Sequence, residues 1–492
     1  MSIWKRKPLA QLLAEAADSE KGLKRTLTAW SLIALGIGAI IGAGLFVRTA
    51  TAAAQSAGPS VTIAFIVAAI GCALAGLCYA ELSSSIPISG SAYTYTYATM
   101  GEFLAWIIGW DLILEYAVGA ATVGIAWSEY LNNLLVNVLH VDPIPFSLSH
   151  SPFQTNLATG EQGIINLPAL FIVVVISLLL IKGIQESAFV NGIIVIVKVA
   201  IVILIIIIGW NFINPVNHEP YIPPTSIFTD EHGIDHSYGG IMGILGAAGT
   251  VFFAFIGFDA VSTAAQETKN PKKAMPIGIL GSLAVCTLLY ILFAHVLTGV
   301  ATVEDFRTGG KEASVAFAIN KYMIGYEWLG QLVTVAILAG FSSVILVMLL
   351  GQSRVFYAMG KDGLLPKAFS DVHPKYKTPY KANLAILVIV GLFAAFIPGD
   401  IVGDMTSIGT LFAFVLVCIS VIILRKKEPN MVREFKTPFV PWVPLLGVGV
   451  CCAMMYGLGW TNWLRLFVWM ALGVIIYFVY GKRNSVLNNS DK

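Results

Sequence analysis

Twelve apolar runs, each long enough for a membrane-spanning helix, recur along the sequence between polar or Gly/Pro-rich breaks. A helix needs about 20 apolar residues to cross a bilayer, whereas a β-barrel strand needs about ten and alternates in polarity. No run alternates in this way, so the sequence predicts an all-α polytopic membrane protein with twelve transmembrane helices, here called spans 1 to 12. They are expected at 30–56, 61–82, 103–131, 164–181, 189–210, 239–265, 277–300, 328–356, 383–397, 405–424, 441–459 and 463–480.

Positive charges are distributed unevenly over the connections between these spans. Two connections contain no Lys or Arg (132–163 and 211–238), and two others are rich in both (354–381 and 425–436). Because cytoplasmic loops carry such an excess, both termini are expected in the cytoplasm. These are an N-terminal segment, 1–29, and a C-terminal tail, 481–492. The net charge of +2 follows from this topology and predicts no nucleic-acid partner.

The sequence offers no catalytic or metal-binding constellation. All six cysteines fall within predicted spans, and Cys451 and Cys452 are adjacent rather than two residues apart as in metal or redox motifs. The histidines of the long connections 132–163 and 211–238 have no ligand spacing. No nucleophile–base set or phosphate-binding loop is present. We therefore expect neither a metal nor a cofactor, and no enzymatic activity.

Glycines interrupt the apolar runs of two spans. Span 1 contains GIGAIIGAG at 36–44, and span 6 contains GTVFFAFIGFD at 249–259. They lie five spans apart, so a second block of five spans enters the membrane from the opposite face, which is typical of inverted-repeat transporters. We predict a first repeat at 30–210 and an inverted second repeat at 239–424, with spans 11 and 12 (441–480) outside both.

Two interpretations of the span 1 glycines remain open. Gly38 and Gly42 have the G-x-x-x-G spacing that lets two helices pack closely without any further function. Alternatively, the helix breaks at mid-membrane, which a bilayer tolerates only where the segment lines a cavity or binds a ligand. A dinucleotide-binding motif is excluded because its spacing and its preceding strand are missing.

Breaks in both spans predict a site for an α-amino acid. Free N–H groups in span 1 would lie at the positive end of a half-helix, where a carboxylate binds. Free carbonyl groups in span 6 would end a half-helix with partial negative charge and accept from an ammonium group. The predicted substrate-binding residues are Ile40, Gly42, Ala43, Gly44, Phe253, Ala254 and Ile256.

Several motifs along the chain match a known family. They are IGAGLF (41–46), YAEL (79–82) with Pro87 and SGSAY (89–93), GWDLILEY (109–116), FIGFD (255–259) with ETKNP (267–271), and SRVFYAM (353–359) with DGLLP (362–366). With them the chain resembles the amino acid–polyamine–organocation superfamily, and most closely the bacterial relatives of the cationic amino acid transporters. The resemblance covers nearly the whole chain. It implies the LeuT-like fold, in which spans 1 and 6 are broken, and alternating access around a site between them. Where the family often has Gly-Ser-Gly, this chain has Ala43 in the middle, so one hydroxyl group is missing.

Lys198 lies near the middle of the apolar span 5. A charge at this depth costs at least about 2.5 kcal/mol, so it predicts a function, although snorkelling or structural pairing is an alternative. In sodium-coupled relatives a cation lies between spans 1 and 8, held partly by hydroxyl groups that Ser342 and Ser343 resemble. In proton-coupled relatives a span 5 lysine places its amine there, so the resemblance implies proton coupling. Glu115 and Asp259 are candidate partners, with a structural carboxylate as the alternative for each.

The sequence thus predicts a proton-coupled amino acid importer in a bacterial plasma membrane. The apolar walls (Ile40, Phe253 and Ile256) favour small neutral L-amino acids over arginine or lysine. An amino acid exchanger, a cationic amino acid transporter and, more remotely, a non-transporting amino acid sensor are the alternatives. The expected partners are the amino acid, the proton and membrane lipid, while an accessory membrane subunit is left open.

Overall fold

The computed structural model of the protein describes residues 4–8, 27–88, 91–156, 159–183, 188–230, 233, 235–265, 268–310, 314–376 and 378–489. Most of the predicted N-terminal segment 1–29 lies outside the described residues, as do Ser89, Gly90 and Glu267 of the family motifs.

The described chain is predominantly helical, as predicted. Eight helical stretches are long and apolar enough to cross a membrane, and four shorter apolar helices of 10–17 residues accompany them. The helices that coincide with spans 1 to 12 are, in order, Ala29–Ile40 with Ala43–Phe46 and Arg48–Ala52; Val61–Ser85; Glu102–Leu112 with Gly119–Asn137; Leu167–Ile181; Ala188–Gly209; Gly240–Phe252 with Ala260–Thr263; Pro271–Val300; Glu327–Lys361; Tyr380–Phe396; Gly399–Lys427; Trp442–Gly457; and Trp460–Ile476. Shorter helices are Ser91–Thr99, Phe146–Ser149, Val303–Asp305, Ser314–Tyr322, Lys482–Asn484 and Val486–Asn489.

A short β-hairpin, which the sequence did not predict, accompanies the helices. Strands β1 (Ser226–Thr229) and β2 (Asp235–Tyr238) pair antiparallel within the connection between spans 5 and 6. The guanidinium group of Arg307 lies 4.7 Å from the ring centroid of Phe228 and 4.6 Å from that of Tyr238, and its Nε donates to Ala54 O at 3.0 Å. A distant arginine therefore holds the hairpin against the end of span 1, and no local sequence pattern reports such a contact.

The two ends of the helical bundle are distinguished by what covers them. At the hairpin end, Gly239 N of the hairpin segment donates to Ser56 O at 2.8 Å. At the opposite end, here called the terminal end, residues 4–8 and Val486–Asn489 pack together: Lys5 Nζ donates to Leu487 O at 2.7 Å, and Glu102 N donates to Lys5 O at 3.0 Å. Both described terminal segments therefore lie at the same end of the bundle, where span 3 begins.

Glycine contacts fix the register of span 3 against span 8. A Cβ atom on Gly119 would lie 3.4 Å from Met348 Sδ, and one on Gly109 would lie 2.7 Å from Met359 Sδ. Between these points, a Cβ on Gly351 would lie 3.7 Å from the ring of Tyr116. Spans 3 and 8 are therefore antiparallel, and the residue after Gly351 is level with Glu115.

Candidate binding site between the broken helices

Span 1 breaks within its glycine-rich stretch. Its first helix ends at Ile40, Ile41 and Gly42 are extended, and a second helix begins at Ala43. Among the described residues, no backbone carbonyl accepts from the N–H groups of Gly42, Ala43 or Gly44. Three adjacent donors are thus available at the start of the second helix, which is the arrangement that binds a carboxylate.

Span 6 breaks in the corresponding position. The helix Gly240–Phe252 tightens into a 3₁₀ turn at Phe253–Phe255 and resumes only at Ala260. Between the two parts, Gly257 has φ of +112°, a conformation that favours glycine. A Cβ atom at Gly257 would also lie 3.0 Å from Ala39 O of span 1, so the break in span 6 is built against span 1.

The two breaks touch each other. A Cβ atom on Gly44 would lie 2.2 Å from Ala254 Cα, closer than any side chain permits, whereas one on Gly42 would meet Val344 of span 8 at 3.2 Å. The hydroxyl group of Tyr290, in span 7, lies 3.0 Å from Ile40 O and 2.9 Å from Ala254 O. Span 1 is thus broken, and the glycine that brings its backbone against span 6 is Gly44.

All seven predicted substrate-binding residues are buried at this junction. Ile40, Ala43, Phe253 and Ile256 are at most 3% exposed. The carbonyl group of Ala254 already accepts from Tyr290, and that of Phe253 accepts from Ile256 N at 3.3 Å. Within the described residues, the carbonyl group of Ile256 accepts no backbone hydrogen bond, which makes it the best placed of the three for an ammonium group.

Lys198 reaches the break in span 1 from span 5. Its Nζ atom donates to Gly38 O at 2.9 Å and to Ile41 O at 3.1 Å, and the residue is 4% exposed. Gly340 of span 8 makes room for the side chain, because a Cβ atom there would lie 2.7 Å from Lys198 Cε. The amine therefore binds the carbonyl groups released where the first helix of span 1 ends.

Ser342 and Ser343 of span 8 follow Gly340, the residue that contacts Lys198, by two and three positions. Ser342 Oγ donates to Leu338 O of its own helix at 2.9 Å, and Ser343 is 1% exposed. The back-bonded hydroxyl of Ser342 is thus engaged within its helix.

Asp259 and Glu115 form a second buried polar group. Asp259 Oδ2 accepts from the hydroxyl group of Tyr116 and from Ser91 Oγ at 3.4 Å. Glu115 is the electrostatic neighbour of Asp259. It lies in a π-helical segment of span 3, Ile113–Val118, and such distortions are frequent at functional sites. Both carboxylate oxygens of Glu115 and Oδ1 of Asp259 lack an N–H or hydroxyl donor in the described part of the chain, so a hydrogen bond between the two side chains requires that one of them is protonated.

A cluster at the hairpin end was not predicted from the sequence. Arg48, in span 1, is 2% exposed and forms ion pairs with Asp404 and, at 3.3 Å, with Asp400 of span 10. Asn462 Nδ2 donates to Asp404 Oδ2 at 3.3 Å. An arginine in one apolar run and two aspartates four residues apart just before another are the signal that could have indicated this pairing. Tyr290 offered no such signal, because a single tyrosine in an apolar helix is unremarkable.

The cysteines and the other side chains that bind metals are spread through the described structure. Five of the six cysteines are buried thiols, and Cys452 is exposed. Across the described ranges, no three His, Cys, Asp or Glu side chains are grouped so that they could hold a metal ion.

Known proteins resemble this chain over nearly its whole length. The model of the amino acid permease family matches residues 27–479. The chain is 43% identical over 488 residues to the branched-chain amino acid permease BcaP of Bacillus subtilis (strain 168), and 41% identical over 488 residues to the methylthioribose transporter of the same organism, with 99% of each chain covered. It is 36% identical over 408 residues to the vacuolar cationic amino acid transporter 2 of Arabidopsis thaliana, which covers 83% of this chain and 61% of that protein. The predicted family and the prediction of a transporter rather than an enzyme are thereby confirmed.

Proposed function

Because the chain belongs to the amino acid permease family, we propose that it is a proton-coupled importer of small neutral L-amino acids that works by alternating access. The observation that carries this proposal is the pair of hydrogen bonds from Lys198 Nζ to Gly38 O and Ile41 O. They join a titratable amine to the broken segment that would hold the substrate.

The substrate is bound by its backbone. The N–H groups of Gly42, Ala43 and Gly44 receive the α-carboxylate, and the carbonyl group of Ile256 accepts from the α-ammonium group. Charge and hydrogen-bonding groups are thus matched on both sides without any side chain. The substrate's own side chain then meets apolar walls, which favours neutral substrates over arginine and lysine.

The proton acts through Lys198. When protonated, the amine holds the carbonyl groups at the end of the first helix of span 1, and when deprotonated it offers one donor fewer and a weaker attraction. Release of this contact lets the first half of span 1 move. Glu115 and Asp259 exchange protons in the same cycle. The lysine takes the place of a sodium ion between spans 1 and 8, while Ser342 and Ser343 remain in the positions of the sodium-binding hydroxyls.

The two repeats, 30–210 and 239–424, form the moving and static parts around this site, and spans 11 and 12 (441–480) pack outside them. The terminal end faces the cytoplasm and the hairpin end faces the outside, since the Lys- and Arg-rich connections lie on the side of the termini. In this orientation the Arg48 ion pairs close the outer side of the site in the plasma membrane.

The relatives offer a second candidate substrate class. One of them is named as a methylthioribose transporter at 41% identity and another as a branched-chain amino acid permease at 43%, values too similar to decide between the two. The three backbone donors at 42–44 favour a carboxylate-bearing substrate, because methylthioribose has no carboxylate to receive them.

Uptake into proteoliposomes tests this proposal. Radiolabelled alanine, leucine, arginine and methylthioribose are offered with an imposed pH or sodium gradient. We expect a pH gradient to drive uptake of a neutral amino acid, and Lys198→Ala to reduce that accumulation by about 5- to 150-fold, the usual range of a coupling free energy. Lys381→Ala is the matched control, because Lys381 forms an exposed ion pair with Asp371.

The alternatives give different results in the same assay. Uptake that depends on sodium, or full pH-driven uptake by Lys198→Ala, contradicts proton coupling through this lysine. Counterflow without any response to pH identifies an exchanger. Binding without flux identifies a sensor, and preferred uptake of methylthioribose overturns the assignment of the substrate.

A further inference from the structure

Asp111 is a buried acidic residue that none of the preceding functions uses. It lies in span 3, one helical turn closer to the terminal end than Glu115, and is fully buried. Both of its carboxylate oxygens lack a hydrogen-bond donor among the described residues. An ionised carboxylate in such a place is strongly disfavoured, because neither water nor a protein donor replaces its hydration.

The surroundings of Asp111 are polar but contain no positive charge. Span 10 places Gly409 against it, where a Cβ atom would lie 3.1 Å from Asp111 Oδ1. Span 3 contributes the carboxyl group of Glu115, and span 8 places Gln352 level with Glu115. Among the described residues, no Lys, Arg or His side chain forms an ion pair with Asp111, Glu115 or Asp259.

Unpartnered polar side chains accompany these acids at the same depth. The hydroxyl group of Tyr79 is fully buried, has no hydrogen-bond partner in the described chain, and is an electrostatic neighbour of both Asp259 and Glu115. The side-chain amide of Gln352 is likewise fully buried with neither polar atom bonded. The neutral groups supply no charge to balance the acids, so the carboxylates of this region are complementary to a proton.

A layer of hydrogen-bonded side chains lies between Gly109 of span 3 and the terminal end. The ring of Tyr93 fills the space that Gly109 leaves, since a Cβ atom there would lie 3.1 Å from Tyr93 Cδ2. The hydroxyl group of Tyr93 donates to Asp362 Oδ2 at 2.7 Å, and Asp362 Oδ1 accepts from Lys7 Nζ at 2.9 Å. The side chains of Lys7 and Asp362 are 10% and 14% exposed. Movement of this layer would open the terminal end of span 3 to water.

We propose that Asp111 is a further proton-binding residue of the transport cycle, which holds a proton while it is buried as described here and loses that proton when water enters from the terminal end. The bond that breaks is the O–H bond of the carboxyl group, and the proton passes to water on the terminal side. The carboxylate that remains takes up a proton from water that enters from the hairpin side, which completes the cycle. The role of Asp111 in transport rests on the proposed function. Its protonation in the folded protein does not depend on that function.

Infrared spectroscopy of the full-length protein tests the protonation directly. We expect the carbonyl band of protonated carboxyl groups at neutral pH to lose intensity in Asp111→Asn, which keeps the size of the side chain. Glu102→Gln is the matched control: Glu102 is equally buried in span 3, but its carboxylate accepts from Tyr97, Tyr477, Ser485 and Asn488, so its substitution should leave the band unchanged. A band unchanged by Asp111→Asn overturns the proposal. Thermal unfolding confirms that each variant is folded.

Transport stoichiometry tests the role in coupling. In proteoliposomes, the ratio of protons to substrate, measured from the membrane potential that stops net flux, should fall by one in Asp111→Asn, while counterflow at fixed pH stays within about twofold of wild type. An unchanged ratio overturns the role of Asp111 in transport. If the wild type moves substrate without protons, the proposed function fails instead, and the infrared result still decides whether Asp111 holds a proton.

Discussion

Two buried clusters of charged residues lie on opposite sides of the broken helices, and they differ in how their charges are compensated. At the hairpin end, Arg48 is paired with Asp400 and Asp404. Toward the terminal end, Asp111 and Glu115 have no donor among the described residues, although they are more deeply buried. One cluster is an ion-pair network, whereas the other consists of acids without a counterion.

The difference separates a structural use of charge from a titratable one. A buried ion pair keeps its protonation state because each charge stabilises the other, and the loss of one partner leaves an uncompensated charge. A buried acid without a partner is more stable when neutral, so its protonation changes whenever water enters. We therefore expect substitutions in the two clusters to have opposite consequences, with large losses of stability at the hairpin end and losses of coupling toward the terminal end.

The largest effect is expected from Arg48→Met, which keeps the apolar stem and removes the charge. Because Asp400 and Asp404 then lose the guanidinium group that pairs with both of them, the free energy of unfolding should fall by about 3–5 kcal/mol. Thermal or denaturant unfolding of the purified protein measures it, with Arg483→Met as the control on an exposed arginine. The double variant Arg48→Met/Asp404→Asn should recover part of the loss. Equal stability of Arg48→Met and wild type would show that the two clusters do not differ in this way.

A second pair of substitutions compares two buried glutamates of the same span. Glu102 accepts hydrogen bonds from four side chains. In Glu102→Gln one acceptor oxygen is replaced by an NH₂ group that cannot accept from them, so the free energy of unfolding should fall by about 1.5–3 kcal/mol. Glu115 accepts from no N–H or hydroxyl group of the described chain, and a glutamine can donate to its neighbour Asp259, so the change at Glu115→Gln should stay within about 1 kcal/mol. Unfolding curves of both variants under one condition measure the contrast. A loss at Glu115 as large as that at Glu102 would mean that Glu115 has a structural partner.

Much of the fold could be predicted because it depends on patterns within short stretches of the sequence. The spans follow from apolar runs about 20 residues long, and the breaks follow from glycines at 36–44 and 249–259, where helix propensity is low. Lys198 stood out because a lysine amid isoleucine and valine is costly in a bilayer. Each of these inferences needs only one stretch of sequence.

The parts that escaped prediction depend on contacts between distant stretches. Arg48 meets Asp400 and Asp404 some 350 residues later in the chain, and the hydroxyl group of Tyr290 bridges spans 1 and 6 only after span 7 has packed between them. Asp111 stood in a recognised motif, yet its lack of a donor appears only once spans 3, 8 and 10 are assembled. Hydrogen-bond partners, and their absence, are properties of the packed bundle.

The smallest effect is expected at His236, on the hairpin that extends the ion-paired cluster outward. Burial lowers the pKa of this histidine, but its hydrogen bond to Asp230 at 2.8 Å and the charges of Asp404 and Asp400 outweigh burial and raise the pKa above the ordinary value. A raised pKa means that the charged imidazole stabilises the fold below the unfolded-state pKa of about 6.5, and that this contribution is lost as the pH rises through the folded-state pKa.

His236→Gln should therefore lower the free energy of unfolding at about pH 5.5 by less than about 1 kcal/mol, and leave it unchanged near pH 9. The midpoint of unfolding at each pH measures this change. His140→Gln, at an exposed histidine of the other long connection, is the control. The difference between wild type and His236→Gln must shrink as the pH rises. A difference that grows with pH would mean that His236 is neutral in the folded protein. The ion-paired cluster at the hairpin end would then consist of Arg48, Asp400 and Asp404 without His236.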